Sequence, residues 1–166
     1  MSETEPLASL PLDPDVDEER LPQTRRVPVY VRPTALAVVF LGGSAGAAAR
    51  EGITLLFPAA GGMPWAVFAI NVSGAFLLGA LLETLARRGP DEGRRRLLRL
   101  LLGTGVLGGY TTYSSFATDT AGLLAHGAAL TGVVYALATV LLGAAATGAG
   151  IALAAAVHRR RSGVRS

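Results

Sequence analysis

Gly108-Gly109-Tyr110-Thr111-Thr112-Tyr113-Ser114-Ser115-Phe116 is the stretch that decides the fold. It sets two glycines, four Ser/Thr hydroxyls and three aromatic rings inside an apolar segment that runs from about Leu97 to Leu124. Hydrocarbon offers no water to unpaired N–H and C=O groups, so irregular backbone survives there only against protein or a water-filled path. Helices broken at membrane depth commonly hold ions at their half-helix ends. The run therefore predicts a membrane helix broken near mid-depth, with an ion site at the break.

The flanking composition agrees. Of 166 residues, 51% are hydrophobic and 16% charged, and the mean hydropathy is +0.44. Four apolar stretches, at roughly 33–57, 63–86, 97–125 and 128–157, are long enough to span a hydrocarbon core of ~30 Å. A soluble Ala/Leu-rich bundle is the competing reading. It fails on the last stretch, which carries no charged residue from Ala128 through Val157, whereas a soluble helix needs a polar face. The expected organisation is a polar, proline-rich, disordered tail over 1–33, a four-helix transmembrane domain over 34–157 and a basic tail over 158–166. The first 33 residues lack the short apolar core of a cleavable signal peptide.

Several function classes fall away. The absence of cysteine excludes disulfides and thiolate metal sites. The two histidines, His126 and His158, sit near predicted membrane edges, which argues against a histidine metal centre. A net charge of +3 invites nucleic acid as a partner. All fifteen basic residues are arginine, however, and most flank the apolar spans. That is the pattern of membrane orientation and lipid headgroup contact, so no nucleic-acid partner is expected.

Within the spans, Gly42 and Gly46 are four apart and share one helix face, where small residues let a second helix approach closely. Arg50 lies toward the end of that span, where snorkelling or carbonyl capping favours a structural role over ion contact. Asn71, with Gly74 following, lies about eight residues into the second span. Its amide either bonds a neighbouring helix or turns an N–H toward an anion path; it offers two donors without net charge. Tyr135, Thr139 and Gly143 recur at four-residue spacing and form a stripe on the fourth span. Asp119 follows the broken run by one turn, and the sequence assigns it no role.

Taken together, Gly42-Gly43-Ser44-Ala45-Gly46 through Arg50, Asn71 with Gly74, and the run from Gly108 to Phe116 resemble the Fluc (CrcB) family of fluoride channels. The resemblance covers about 36–157. It implies an all-α membrane protein of four transmembrane helices, the third broken at mid-membrane, assembled as an antiparallel dimer with two narrow pores. It implies a structural sodium ion at the dimer centre, held by backbone carbonyls at the positions of Gly108 and Thr111. It also implies a fluoride path along Asn71, the ring edges of Tyr113 and Phe116, and the hydroxyls of Ser114, Ser115 and Thr139. Gly42, Gly46, Gly74 and Arg50 take structural places. Two positions depart from the usual pattern: Tyr113 stands where phenylalanine is usual, and Gly143 where a hydroxyl is common.

The expectation is a fluoride-selective passive channel of the bacterial plasma membrane that exports cytoplasmic fluoride and lowers its toxicity; an enzyme is not expected. Two alternatives stay open. A proton-coupled secondary transporter or multidrug exporter normally needs a carboxylate within the membrane. A non-conducting partner subunit of a heterodimeric channel needs no working pore of its own. Arginine counting bears on the dimer. The 1–33 tail carries four, the 87–99 loop six and the C-terminal tail four, against Arg50 alone on the other side. Such a bias predicts cytoplasmic termini in every copy. An antiparallel pair would then need a paralogue of the opposite bias.

Overall fold

The computed structural model describes residues 32–59 and 62–163. The tail expected over 1–33 falls, but for its last two residues, outside the described residues. Regular structure among the described residues is helical: α1 Pro33–Leu56, α2 Trp65–Ala86, α3 Gly93–Leu98, a π-helical segment Arg99–Leu107, α4 Gly108–Tyr110, α5 Tyr113–Ala125 and α6 Ala129–Gly163. Three of these, α1, α2 and α6, are each long and apolar enough to cross a membrane. The 97–125 stretch, expected as a broken span, is divided and is not among these three. Helix runs through α3, the π segment and α4, stops at extended backbone on Thr111 and Thr112, and restarts as α5.

Local chemistry explains the boundaries. Pro33 opens α1, where its missing N–H costs nothing and its fixed φ suits the helix. Pro58 follows the end of α1 closely and disfavours helix before it. Gly89 (φ 113°) and Gly93 (φ 50°) turn the chain between α2 and α3, in backbone regions that L side chains rarely adopt. In that turn the Arg99 guanidinium donates to Asp91 Oδ2 at 2.8 Å and 3.0 Å, and Arg96 Nε donates to the Asp91 carbonyl at 2.8 Å. Gly127 (φ 78°) makes the short turn into α6.

Packing follows two seams of small residues. Along α1, a Cβ on Gly42 would stand 2.5 Å from the Leu101 carbonyl oxygen, and one on Gly46 would run into the Val106 carbonyl. Bare glycine lets the π segment lie directly on α1, the close approach expected of Gly42 and Gly46. Along α2, a Cβ on Gly79 would stand 2.5 Å from the Thr147 carbonyl oxygen of α6, and one on Gly150 would meet the Phe76 carbonyl. Thr147 Oγ1 donates across this seam to the Ala75 carbonyl at 3.3 Å. The largest fully buried side chains are Tyr135 and Ile70, while Phe40, Leu41, Leu55, Leu130 and Leu141 stand exposed. Such an outward apolar surface suits lipid or another subunit rather than water. At 1.5 Å per residue α6 is about 52 Å long, so it extends well beyond a ~30 Å hydrocarbon layer.

Candidate ion site at the helix break

The break is held by a side chain distant in sequence. Asn71 Nδ2 donates to the Thr112 carbonyl at 3.0 Å, and the Thr112 N–H donates back to Asn71 Oδ1 at 2.9 Å. The Asn71 amide thus imitates a strand partner and satisfies both backbone groups of a residue that has left the helix. Gly74, one turn further along α2, makes the approach possible: a Cβ there would collide with the Thr111 side-chain methyl. On the same helix, Ser73 Oγ lies 3.1 Å from the Tyr110 hydroxyl.

Thr112 is buried, and its Oγ1 accepts the Ser115 N–H at 3.1 Å as the N-cap of α5. The same oxygen lies 3.1 Å from Ser114 Oγ and 3.2 Å from Ser115 Oγ. These bonds redirect donors that a continuous helix would have used. The Thr112 N–H would have served the Gly108 carbonyl, and the Ser115 N–H the Thr111 carbonyl. Both carbonyls therefore lack their i+4 donor, at the negative end of one helix and beside the positive end of α5. A break of this kind offers carbonyl oxygens to a cation on one side and N–H groups to an anion on the other. Oxygen donors are the right chemistry for a hard monovalent cation, and Gly108 is exposed.

Beside the break lies an open groove of about 310 Å³. Asn71, Thr111, Tyr113, Phe116 and Thr139 line it, together with Thr112, Val140 and Gly143. Tyr113 and Phe116 have ring centroids 6.0 Å apart at 49°, and Phe116 lies 5.6 Å from Tyr135 at 36°. Tyr113 is 80% exposed, so its ring faces outward from the single chain. Thr139 is buried and donates its hydroxyl to the Tyr135 carbonyl at 2.7 Å. Ser114 and Ser115 sit on the other side of Thr112, in its hydroxyl cluster rather than on the groove wall. Arg50 is half-buried in α1 and does not line the groove.

Sequence reasoning passed over Thr112, the residue on which the site turns. Its signal was the N-cap pattern of Thr112 three residues before Ser115. It also passed over Gly109: a Cβ there would run into the Gly43 carbonyl, whereas one on Gly108 would meet only the Gly103 carbonyl oxygen at 3.8 Å. Close packing of the Gly-Gly pair therefore rests on its second member. Asp119 Oδ2 and the Tyr135 hydroxyl are buried oxygens without a hydrogen-bond partner among the described residues.

Residues 37–151 match the family described as CrcB-like protein, Camphor Resistance (CrcB). The chain belongs to the CrcB family. It is 53% identical over 134 residues to fluoride-specific ion channel FluC 2 of Leifsonia xyli subsp. xyli, covering 81% of this chain and 92% of that one. It is 43% identical over 132 residues to fluoride-specific ion channel FluC 1 of Cutibacterium acnes, covering 79% and 92%. A third relative, fluoride-specific ion channel FluC 1 of Streptomyces coelicolor, is 44% identical over 107 residues, covering 64% and 68%. The CrcB match spans α1 through most of α6 and so contains the Asn71–Thr112 clamp and the whole groove.

Proposed function

We propose that this chain is a subunit of a fluoride-selective passive channel that carries fluoride out of the bacterial cytoplasm across the plasma membrane. The observation that carries the reading is the groove at the break, which gathers Asn71, Thr111, Tyr113, Phe116 and Thr139 in a chain whose relatives are named as fluoride-specific ion channels. Fluoride is small and strongly hydrated. A pore selective for it must replace that water with close donors, and must hold the ion weakly enough to release it. Neutral groups meet both needs: the second Asn71 N–H and the electropositive ring edges of Tyr113 and Phe116 line the groove, the Thr139 hydroxyl would serve by turning its proton from the Tyr135 carbonyl, and the Ser114 and Ser115 hydroxyls would extend the path beyond the groove wall. The positive end of α5 adds potential of the right sign.

In the same reading the 97–125 stretch is the third of four crossings and is broken at mid-membrane. The carbonyls of Gly108 and Thr111 hold a structural sodium ion between two antiparallel subunits. A bound sodium supplies fixed positive charge beside the anion path, where low dielectric enlarges its effect. The arginine bias supports cytoplasmic termini and an oppositely oriented paralogue as partner. Neither a proton-coupled exporter nor a silent partner subunit gains support from a specific feature of the groove.

The test is fluoride efflux from liposomes that contain the purified chain, followed with a fluoride electrode, alone and with a paralogous subunit. Fluoride should leave far faster than chloride under the same gradient. Chloride passing as readily as fluoride would overturn the reading.

A further inference from the structure

The seam between the C-terminal end of α2 and the distal half of α6 encloses a second cavity, of about 280 Å³. Its lining is both basic and apolar. Arg87, Arg88, His158 and Thr84 line it together with the apolar Ala80, Leu153, Ala154 and Val157. Leu153 and Val157 are one turn apart on α6 and are 53% and 43% exposed, so their apolar faces continue outward from the cavity. The cavity sits where the apolar stretches of both helices give way to arginine, which is the depth of the headgroup layer.

We propose that this seam binds one anionic glycerophospholipid, its phosphate on the arginines and its acyl chain along Leu153 and Val157. Charge complementarity selects the occupant. Arg88 makes no guanidinium hydrogen bond or ion pair among the described residues, so its charge is available to a phosphate. Arg87 Nε is bonded to Glu83 Oε1 at 2.5 Å, which leaves its terminal nitrogens to reach an anion. The guanidinium fork suits phosphate oxygens better than an ammonium does. Basic pockets between membrane helices are a recurring form of anionic-lipid site. A cavity this small holds a headgroup and the first carbons only, so the acyl chain must lie on the outer surface of α6. That half of the site distinguishes a lipid from free phosphate. The proposal is independent of the fluoride reading.

Lipid retention by the purified full chain, read by native mass spectrometry, tests it. Phosphatidylglycerol should bind at one molecule per protomer, at least tenfold tighter than phosphatidylcholine with the same acyl chains. An arginine near an anionic lipid contributes enough for Arg88→Gln to weaken retention about five-fold. Arg88→Lys, which keeps the charge, should lose less than Arg88→Gln. Glu83→Gln should strengthen retention, because it removes the carboxylate that competes for Arg87; a merely structural role for the pair predicts the opposite. Arg94→Gln, at the same end of the bundle but outside the cavity, should change nothing. Equal retention of the two lipids, an equal loss in Arg94→Gln, a weakening in Glu83→Gln, or displacement of the lipid by equimolar inorganic phosphate would each overturn the proposal.

Discussion

Replacing Asn71 by aspartate and by alanine separates its place as the clamp on Thr112 from the pore role proposed for it. As a clamp, Asn71 makes two hydrogen bonds to Thr112, of 3.0 Å and 2.9 Å. Alanine loses both and leaves the Thr112 N–H without its partner. At roughly 1 kcal/mol per net bond plus the desolvation of an unpaired donor, the expected destabilisation is about 2–4 kcal/mol. Aspartate keeps an acceptor for the Thr112 N–H but sets its second oxygen against the Thr112 carbonyl, so it loses one bond, gains an oxygen–oxygen repulsion and should be destabilised about as much as alanine. In the pore role the two variants separate. A carboxylate about 4 Å from the ion path at an effective dielectric of about 20 opposes an anion by about 4 kcal/mol, or about three orders of magnitude in flux. Alanine only deletes a donor, and its flux should fall about tenfold. Thermal unfolding in detergent measures the clamp, and liposome fluoride efflux the pore. If the flux of the two variants simply follows their stability, or if Asn71→Asp retains half of the normal flux, Asn71 is a clamp alone and the pore assignment fails.

Other expectations follow from packing and exposure. Gly46→Ala should destabilise by about 1–3 kcal/mol or more, since the new methyl meets the Val106 backbone carbonyl; Gly52→Ala, with nothing within 4 Å of its Cβ, should be neutral or stabilise by up to about 1 kcal/mol, and paired thermal melts check both. Tyr113→Phe removes a hydroxyl from an exposed ring, so stability should move by less than about 0.5 kcal/mol and fluoride efflux should persist; loss of efflux would make the phenol itself part of the path. Arg99, hydrogen-bonded to Asp91, holds that carboxyl below the usual carboxylate range. A depressed pKa means that the contact stabilises the turn throughout neutral pH and is lost only as pH falls through the lowered value; Arg99→Gln should move the Asp91 titration upward, as an NMR pH series would show. Reporters on the C-terminus should read cytoplasmic in essentially every copy, and an even mixture in cells without a paralogue would refute the heterodimer.

The break itself was legible in sequence because its causes are local. Glycine is a weak helix former, and Ser and Thr hydroxyls offer the backbone partners outside the helix; Thr111 and Thr112 are extended. The close contacts of Gly42 and Gly46 were legible for a similar reason, since four-residue spacing fixes a shared face whatever lies opposite. Spacing does not say which of two adjacent glycines will face a neighbour. Gly108 and Gly109 are indistinguishable by composition, and the packing demand falls on Gly109 because α1 brings Gly43 against that side alone.

The chain's hydropathy, its arginine clusters and its glycine spacing determine that it is helical, lies in a membrane and is interrupted between Gly108 and Phe116, because each of these depends on residues within one or two turns of each other. Which groups hold the interruption open was decided only in three dimensions. Asn71 reaches Thr112 across 41 positions. Phe116 stacks beside Tyr135, and Gly74 leaves room for the Thr111 methyl. These pairings depend on how far each helix is rotated about its axis and how closely the axes approach. Those quantities are set jointly by the α1 seam with the π segment and the α2 seam with α6, and no single helix carries them in its own sequence.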